Sequence, residues 1–129
     1  MQKKNKIKKI LCFDLDGVIC KTKGSDYINS KPIKKNIEVI NILKNKGFII
    51  KVFTARFMGR SKENSSLAYK KGFKLTKNQL RMWGLNYDKL ILGKPTYDLF
   101  IDDKNLDFNA NWTDQLFKKL KLKYIKASK

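Results

Sequence analysis

The sequence predicts an α/β protein: a single domain over residues 1–129, with a mostly parallel sheet covered by helices on both faces and no additional cap domain. Two observations carry this. Apolar runs of strand length alternate with stretches whose apolar residues recur at helical spacing. The runs "KKILCFDLDG" and "FIIKVFTA" are also apolar nearly throughout, the pattern of parallel strands buried on both sides. A chain of 129 residues fits one domain with a modest core.

The elements follow in order. After the first strand, "KTKGSDYINSKP" is a polar loop rich in turn formers. Pro32 opens a helix on which Ile33, Ile37, Ile40 and Leu43 form an apolar face, with Val39 and Ile42 beside them, and Gly47 closes it. "FIIKVFTA" is the second strand. "RFMGRSKENSSLAYKKG" reads as a loop and a short helix, and Thr76 caps a separate helix, "KNQLRMWG", that glycine ends. "DKLILG" is a third strand and "YDLFIDD" a fourth. "TDQLFKKLKLKYI", capped by Thr113, is a final amphipathic helix with Leu116, Leu120 and Phe117 or Tyr124 inward. One connection fits poorly. About five residues separate the third strand from the fourth, whereas a parallel crossover takes a dozen or more. Either the third strand is an irregular edge, or "GKPTY" crosses the sheet end in extended form.

Composition narrows the chemistry. The chain has no histidine, which excludes Ser-His and Cys-His dyads and every histidine-ligated metal site. Its two cysteines cannot build a structural zinc site; Cys12 reads as a small buried hydrophobe and Cys20 as a free thiol nearby. No apolar run is long enough to span a bilayer, and the basic start lacks the long apolar run of a cleaved signal, so a cytoplasmic protein is expected. The net charge of +19 invites a nucleic-acid reading. Eleven of the thirty basic residues lie in the tails, residues 1–9 and 118–129, which contain no acids; the other nineteen face all eleven acids. Only Arg56, Arg60 and Arg81 are arginines, whereas phosphate recognition favours the arginine fork.

The strand ends carry the informative residues. Ligands of open α/β sheets bind beyond the carboxyl ends of the strands. The first strand ends at Asp14 and Asp16 with Gly17, the second at Thr54 with Arg56, and the fourth at Asp102 and Asp103; Lys94 follows the third. Parallel strands would gather four carboxylates, a hydroxyl and a lysine. Such a cluster needs a cation, and an all-oxygen set suits magnesium. Lys94 and Thr54 would hold phosphate oxygens. The backbone at Leu15, Gly17 and Ala55, with Arg56, would complete the phosphate-binding set. The implied reaction is phosphoryl transfer, driven by positioning and charge neutralisation.

"FDLDGV", "FTAR", "GKP" and "FIDDK" resemble, in order, the four motifs of the haloacid dehalogenase (HAD) superfamily, over nearly the whole chain. The resemblance implies a Rossmann-like, HAD-like fold. It implies Asp14 as nucleophile and metal ligand, and Asp16 as general acid/base with its carbonyl on the metal. It further implies Thr54 and Lys94 as phosphate holders, Asp102 as third magnesium ligand, and Asp103 assisting it. An aspartate at position 16 points to the family's phosphatases rather than its dehalogenases. "TARFMGR", "QLRMWG" and "GKPTYDLFIDDK" resemble more narrowly the small phosphatases of capsular and surface-polysaccharide biosynthesis, which implies a sugar-phosphate substrate. The gaps between motifs leave no room for a cap domain; capless members take larger substrates or oligomerise to close the site. The expected partners are therefore a small phosphorylated substrate and, as one option, further copies of the chain. The alternatives are a nucleic-acid end phosphatase and a non-catalytic basic module.

Overall fold

The computed structural model describes residues 9–122. In chain order its elements are β1 (Ile10–Asp14), β2 (Cys20–Lys21), β3 (Lys31–Pro32), α1 (Lys34–Asn45), β4 (Ile49–Thr54), α2 (Ser65–Met82), β5 (Lys89–Leu92) and α3 (Trp112–Lys119), with a single 3-10 turn at Tyr27–Asn29. β1, β4 and β5 form a parallel sheet in that order. Asp14 stands opposite Phe53, and Thr54 opposite Leu92, so the three strands end at nearly one level. That alignment positions the site. Three helices flank the sheet, and neither crossover contains an added domain. None of the helices among the described residues is long and apolar enough to cross a membrane.

Side chains alternate across a strand. Phe13, Ile50, Val52, Leu90 and Leu92 turn to one face and join Ile37, Ile40 and Leu43 of α1, Leu80 of α2, and Trp112, Leu116 and Phe117 of α3 in one cluster. The Phe13 and Trp112 rings meet edge to face at 6.1 Å, which ties α3 to β1. Burial is uneven between the faces. Ile10, Cys12, Ile49, Lys51, Phe53, Lys89 and Ile91 alternate with the core positions, and none of them is fully buried. The continuous burial expected of the first strand is thus not met, and the central β4 alternates in the same way. Cys12, expected inside, is exposed; Cys20 is the buried cysteine, and both are free thiols.

Four other expectations are corrected. Pro32 does not open α1; it pairs with Cys20 in a short antiparallel ladder, and the helix begins at Lys34. The polar loop is therefore partly a hairpin.

The two short helices are one 18-residue helix, α2, capped at its start by the Asn64 side chain on the Leu67 N–H. Gly72 does not break it. A Cβ there would lie 2.2 Å from the Phe57 ring, so the glycine is a contact surface. Thr76 sits inside the same helix, buried and turned to Arg56, rather than capping a new one. Tertiary contact overrides the local breaker signals. Gly72→Ala is expected to destabilise the fold by about 1–3 kcal/mol through overpacking against Phe57, despite alanine's better helix propensity. A denaturant midpoint unchanged or raised would contradict this contact.

"YDLFIDD" forms no strand. Residues 95–105 run outside the sheet, with Leu99 78% and Ile101 89% exposed. The short link after β5 cannot support a parallel crossover within one chain. At the C-terminal end, α3 starts at Trp112 with Asn111, not Thr113, at its N-terminal boundary and no side chain capping it; Leu116 and Phe117 face inward as expected, and Tyr124 lies outside the described residues.

Candidate active site

The turn after β1 builds the site. The Leu15 carbonyl accepts from the N–H groups of Val18, Ile19 and Cys20, and Gly17 donates to the Cys20 carbonyl at 2.7 Å. Gly17 has φ 94°, a conformation open to glycine at little cost. Leu15 is fully buried and anchors the turn. The Leu15 N–H donates to Asp14 Oδ1 at 2.8 Å. These two backbone donors, expected to face a phosphate, are thus engaged within the turn itself. The Leu15 N–H fixes the Asp14 carboxylate and the Gly17 N–H closes the turn.

Lys94 is nearly buried, and its Nζ lies 3.7 Å from Asp14 Oδ1. Its N–H bonds the Thr54 carbonyl at 3.1 Å, which holds the end of β5 against β4. Tyr97 and Phe100 place their rings 5.2 and 5.3 Å from Nζ. Thr54 is fully buried at the end of β4, its Oγ1 accepting from the Arg56 N–H. Ala55 follows, half-buried. Asp14, Thr54 and Lys94 thus stand together as expected.

Arg56 does not. Expected to touch substrate, it is 1% exposed. Its Nε donates to both oxygens of Asp16 at 3.1 and 3.0 Å, and Nη2 donates to Asp16 Oδ1 at 3.0 Å. Nη2 also reaches Ser30 Oγ, and Nη1 donates to Gln79 and Thr76 of α2. The guanidinium lies over the Tyr27 ring at 4.9 Å, and Gln79 bonds the Tyr27 carbonyl. Thr22 Oγ1 donates to Asp16 Oδ1 at 2.6 Å. The arginine therefore orients Asp16 and ties the first turn to α2. Sequence reasoning missed Thr22, Ser30 and Gln79. Polar residues scattered over a loop and a helix carry no spacing signal, though a polar stripe at Thr76 and Gln79, three apart on one helix, was the available hint.

Cys20 packs under the same carboxylate, with Sγ 3.4 Å from Asp16 Oδ1. Burial, with the Asp16 charge beside it, pushes its thiol up to about 11, so it remains protonated and inert.

Asp102 and Asp103 are not brought to this cluster. Both are exposed, and Asp102 Oδ1 accepts from the Lys104 N–H at 3.0 Å in a local turn. That hydrogen bond, with Asp103 assisting, lowers the Asp102 carboxyl below its ordinary range. Among the described residues no group of three or more acids or thiols is placed to hold a metal ion. A separate groove of about 990 Å³, between α1 and residues 83–87, touches none of these residues.

Burial raises the Asp14 carboxyl above its usual value, with Asp16 adding to the effect, against Lys94 and the Leu15 N–H. A raised carboxylate weakens the fold when charged; the penalty disappears as pH falls through the raised value toward the ordinary one. Asp14→Asn is therefore expected to melt about 1–2 °C above wild type near pH 7, the gap kept small by the half-open site. The gap should close toward about pH 3, below the ordinary aspartate range. A melting series across pH reads it, and a gap that widens in acid would be the wrong sign.

Fold and site define a parallel α/β domain with an acidic pair, a lysine and a hydroxyl at adjacent strand ends, one acid locked by a buried arginine. No protein-family model matches the chain, and no curated protein matches it. Among solved structures, an MCSG target protein from Vibrio cholerae superposes with a TM-score of 0.72 at 30% identity, over 87% of this chain and 98% of that one. The chain belongs to the family of that Vibrio cholerae protein. A chain of the Pnkp1/Rnl/Hen1 complex shares the fold, with a TM-score of 0.50 at 20% identity; the match covers 92% of this chain and 36% of that one.

Proposed function

We propose that the protein is a HAD-type phosphomonoesterase acting through an aspartyl-phosphate, on a phosphorylated sugar or related metabolite of polysaccharide biosynthesis. The observation that carries this reading is the pair at the end of β1: Asp14, with Lys94 Nζ 3.7 Å away, and Asp16, held on three sides by Arg56 and Thr22. Leu15 and Lys94 occupy Asp14 Oδ1, which leaves Oδ2 to attack phosphorus. As the new P–O bond forms, the ester P–O bond breaks and the leaving oxygen takes a proton from Asp16, which enters the cycle in its protonated form. Asp16 Oδ2 accepts from Arg56 Nε alone and is the freer oxygen for that proton. Asp16 then takes a proton from water, whose oxygen attacks phosphorus, releases inorganic phosphate and restores Asp14. Lys94 and Thr54 offset charge on the phosphoryl oxygens.

Magnesium, when bound, would supply further charge neutralisation, but the described carboxylates of one copy do not assemble a site for it. The site is open, without a cap, which suits substrates larger than the phosphoryl group.

The test is turnover of an aryl phosphate, phosphorylated sugars, nucleotides and phosphorylated oligonucleotides by the full chain with magnesium chloride. Highest kcat/KM on a sugar phosphate supports the proposal; no turnover of any phosphate would end it. The charge of +19 favours a second reading, hydrolysis of a phosphate at a nucleic-acid end. Preferred turnover of a phosphorylated oligonucleotide, with binding lost steeply as salt rises, would establish that one.

A further inference from the structure

Two incomplete features of the fold match each other. The first is the outer edge of β1. Among the described residues β1 pairs only with β4, and its exposed Ile10 and Cys12 lie beside an unfilled edge, a ready template for another strand. The second is the segment Asp98–Asp103. At its centre are three consecutive large apolar residues, yet Leu99, Phe100 and Ile101 are 78, 41 and 89% exposed. A parallel strand here with Asp102 opposite Asp14 would set Ile101 beside Phe13, Phe100 beside Cys12 and Leu99 beside Leu11. Leu99 and Ile101 would then enter the face that already contains the core.

The segment cannot reach that edge as a parallel strand in its own chain. Lys94 is fixed at the end of β5 by its bond to the Thr54 carbonyl. From there to the open edge of β1 is three strand spacings, about 14 Å, and a parallel strand must also start about 16 Å lower, at the level of Ile10. The straight path exceeds about 20 Å, whereas the four residue steps from Lys94 to Asp98 span at most about 14 Å. An antiparallel strand could start at the upper end, but it would leave Asp102 and Asp103 at the far end from Asp14. A second copy whose β1 begins near this copy's β5 end meets neither limit.

We propose that Asp98–Asp103 of a second copy of this chain adds to the open edge of β1 as a parallel strand, so that the partner subunit's Asp102 and the partner subunit's Asp103 complete the site of Asp14 and Asp16. The exchange accounts for the exposed apolar segment, the open edge and the missing carboxylates together. Its catalytic consequence rests on the phosphatase reading; the exchange itself does not.

Three measurements test it on the full chain. Light scattering after size exclusion should give at least a dimer, and Leu99→Asp with Ile101→Asp should give a folded monomer. A wild-type monomer at micromolar concentration overturns the proposal. A short bismaleimide should join Phe100→Cys to Cys12 between chains, with wild type, whose Cys20 is buried, as control. Adducts only within a chain, or none, overturn it. Finally, inactive Asp14→Asn and Asp102→Asn chains are co-refolded in equal amounts. Half the dimers are then mixed, and one of their two sites is intact, so activity should return to about one quarter of wild type. No recovery, with wild type active, overturns the exchange and leaves the phosphatase reading intact. A dimer with the interchain adduct but no turnover of any phosphate by wild type retains the exchange and removes the phosphatase reading.

Discussion

Asp14→Asn is expected to lower aryl-phosphate turnover by at least about 10³-fold with the fold intact, because it removes the proposed nucleophile and nothing else of similar size. The amide oxygen can still accept from the Leu15 N–H, which holds Asp14 Oδ1 at 2.8 Å. It cannot attack phosphorus at a useful rate. Burial makes the native carboxylate a mild burden on the fold, so activity and stability should move in opposite directions. That divergence separates a chemical role from a structural one. An unfolded variant would lose both, and a variant retaining more than about a tenth of wild-type kcat would show that Asp14 is not the nucleophile.

Arg56→Ala is expected to be the most damaging single substitution to the fold. It leaves Asp16 without its cation, and Ser30, Thr76 and Gln79 lose their shared donor in the interior. Breaking a buried pair by removing one partner costs about 3–5 kcal/mol, a large part of a domain's stability. For a chain of this size that is a fall in Tm of about 10–20 °C. Arg56→Lys keeps the charge but loses the fork that spans both Asp16 oxygens, so it should fall between wild type and alanine. Thermal melts with urea titrations read both variants. If Arg56→Ala cost under about 1 kcal/mol while raising KM, the arginine would be a substrate ligand instead.

Much of the site was legible from residue type and order. Asp14, Thr54 and Lys94 sit at strand ends, and strand ends align wherever parallel pairing is in register, so local pattern sufficed. Arg56 was legible as a charged residue two places beyond Thr54 but not as a buried one. Its partners Asp16, Ser30, Thr76 and Gln79 are 40, 26, 20 and 23 residues away along the chain, and no spacing rule links them. The same limit explains α2. Gly72 and Thr76 carry the local marks of a helix break and a cap, and only contacts with Phe57 and Arg56 make them interior residues of one helix.

The sequence by itself determined the α/β class, the parallel pairing of apolar strands, and the acidic pair after the first of them. These follow from periodicity and from the cost of placing carboxylates at a buried strand end. Tertiary structure alone decided that Asp16 is locked by a buried arginine and that β1 forms an edge. It also decided that Asp102 and Asp103 stay apart from Asp14 within one copy. The physical reason is reach: composition marks "YDLFIDD" as a strand, but the few residues after β5 cannot cross and descend the sheet, and chain length in space overrules strand propensity.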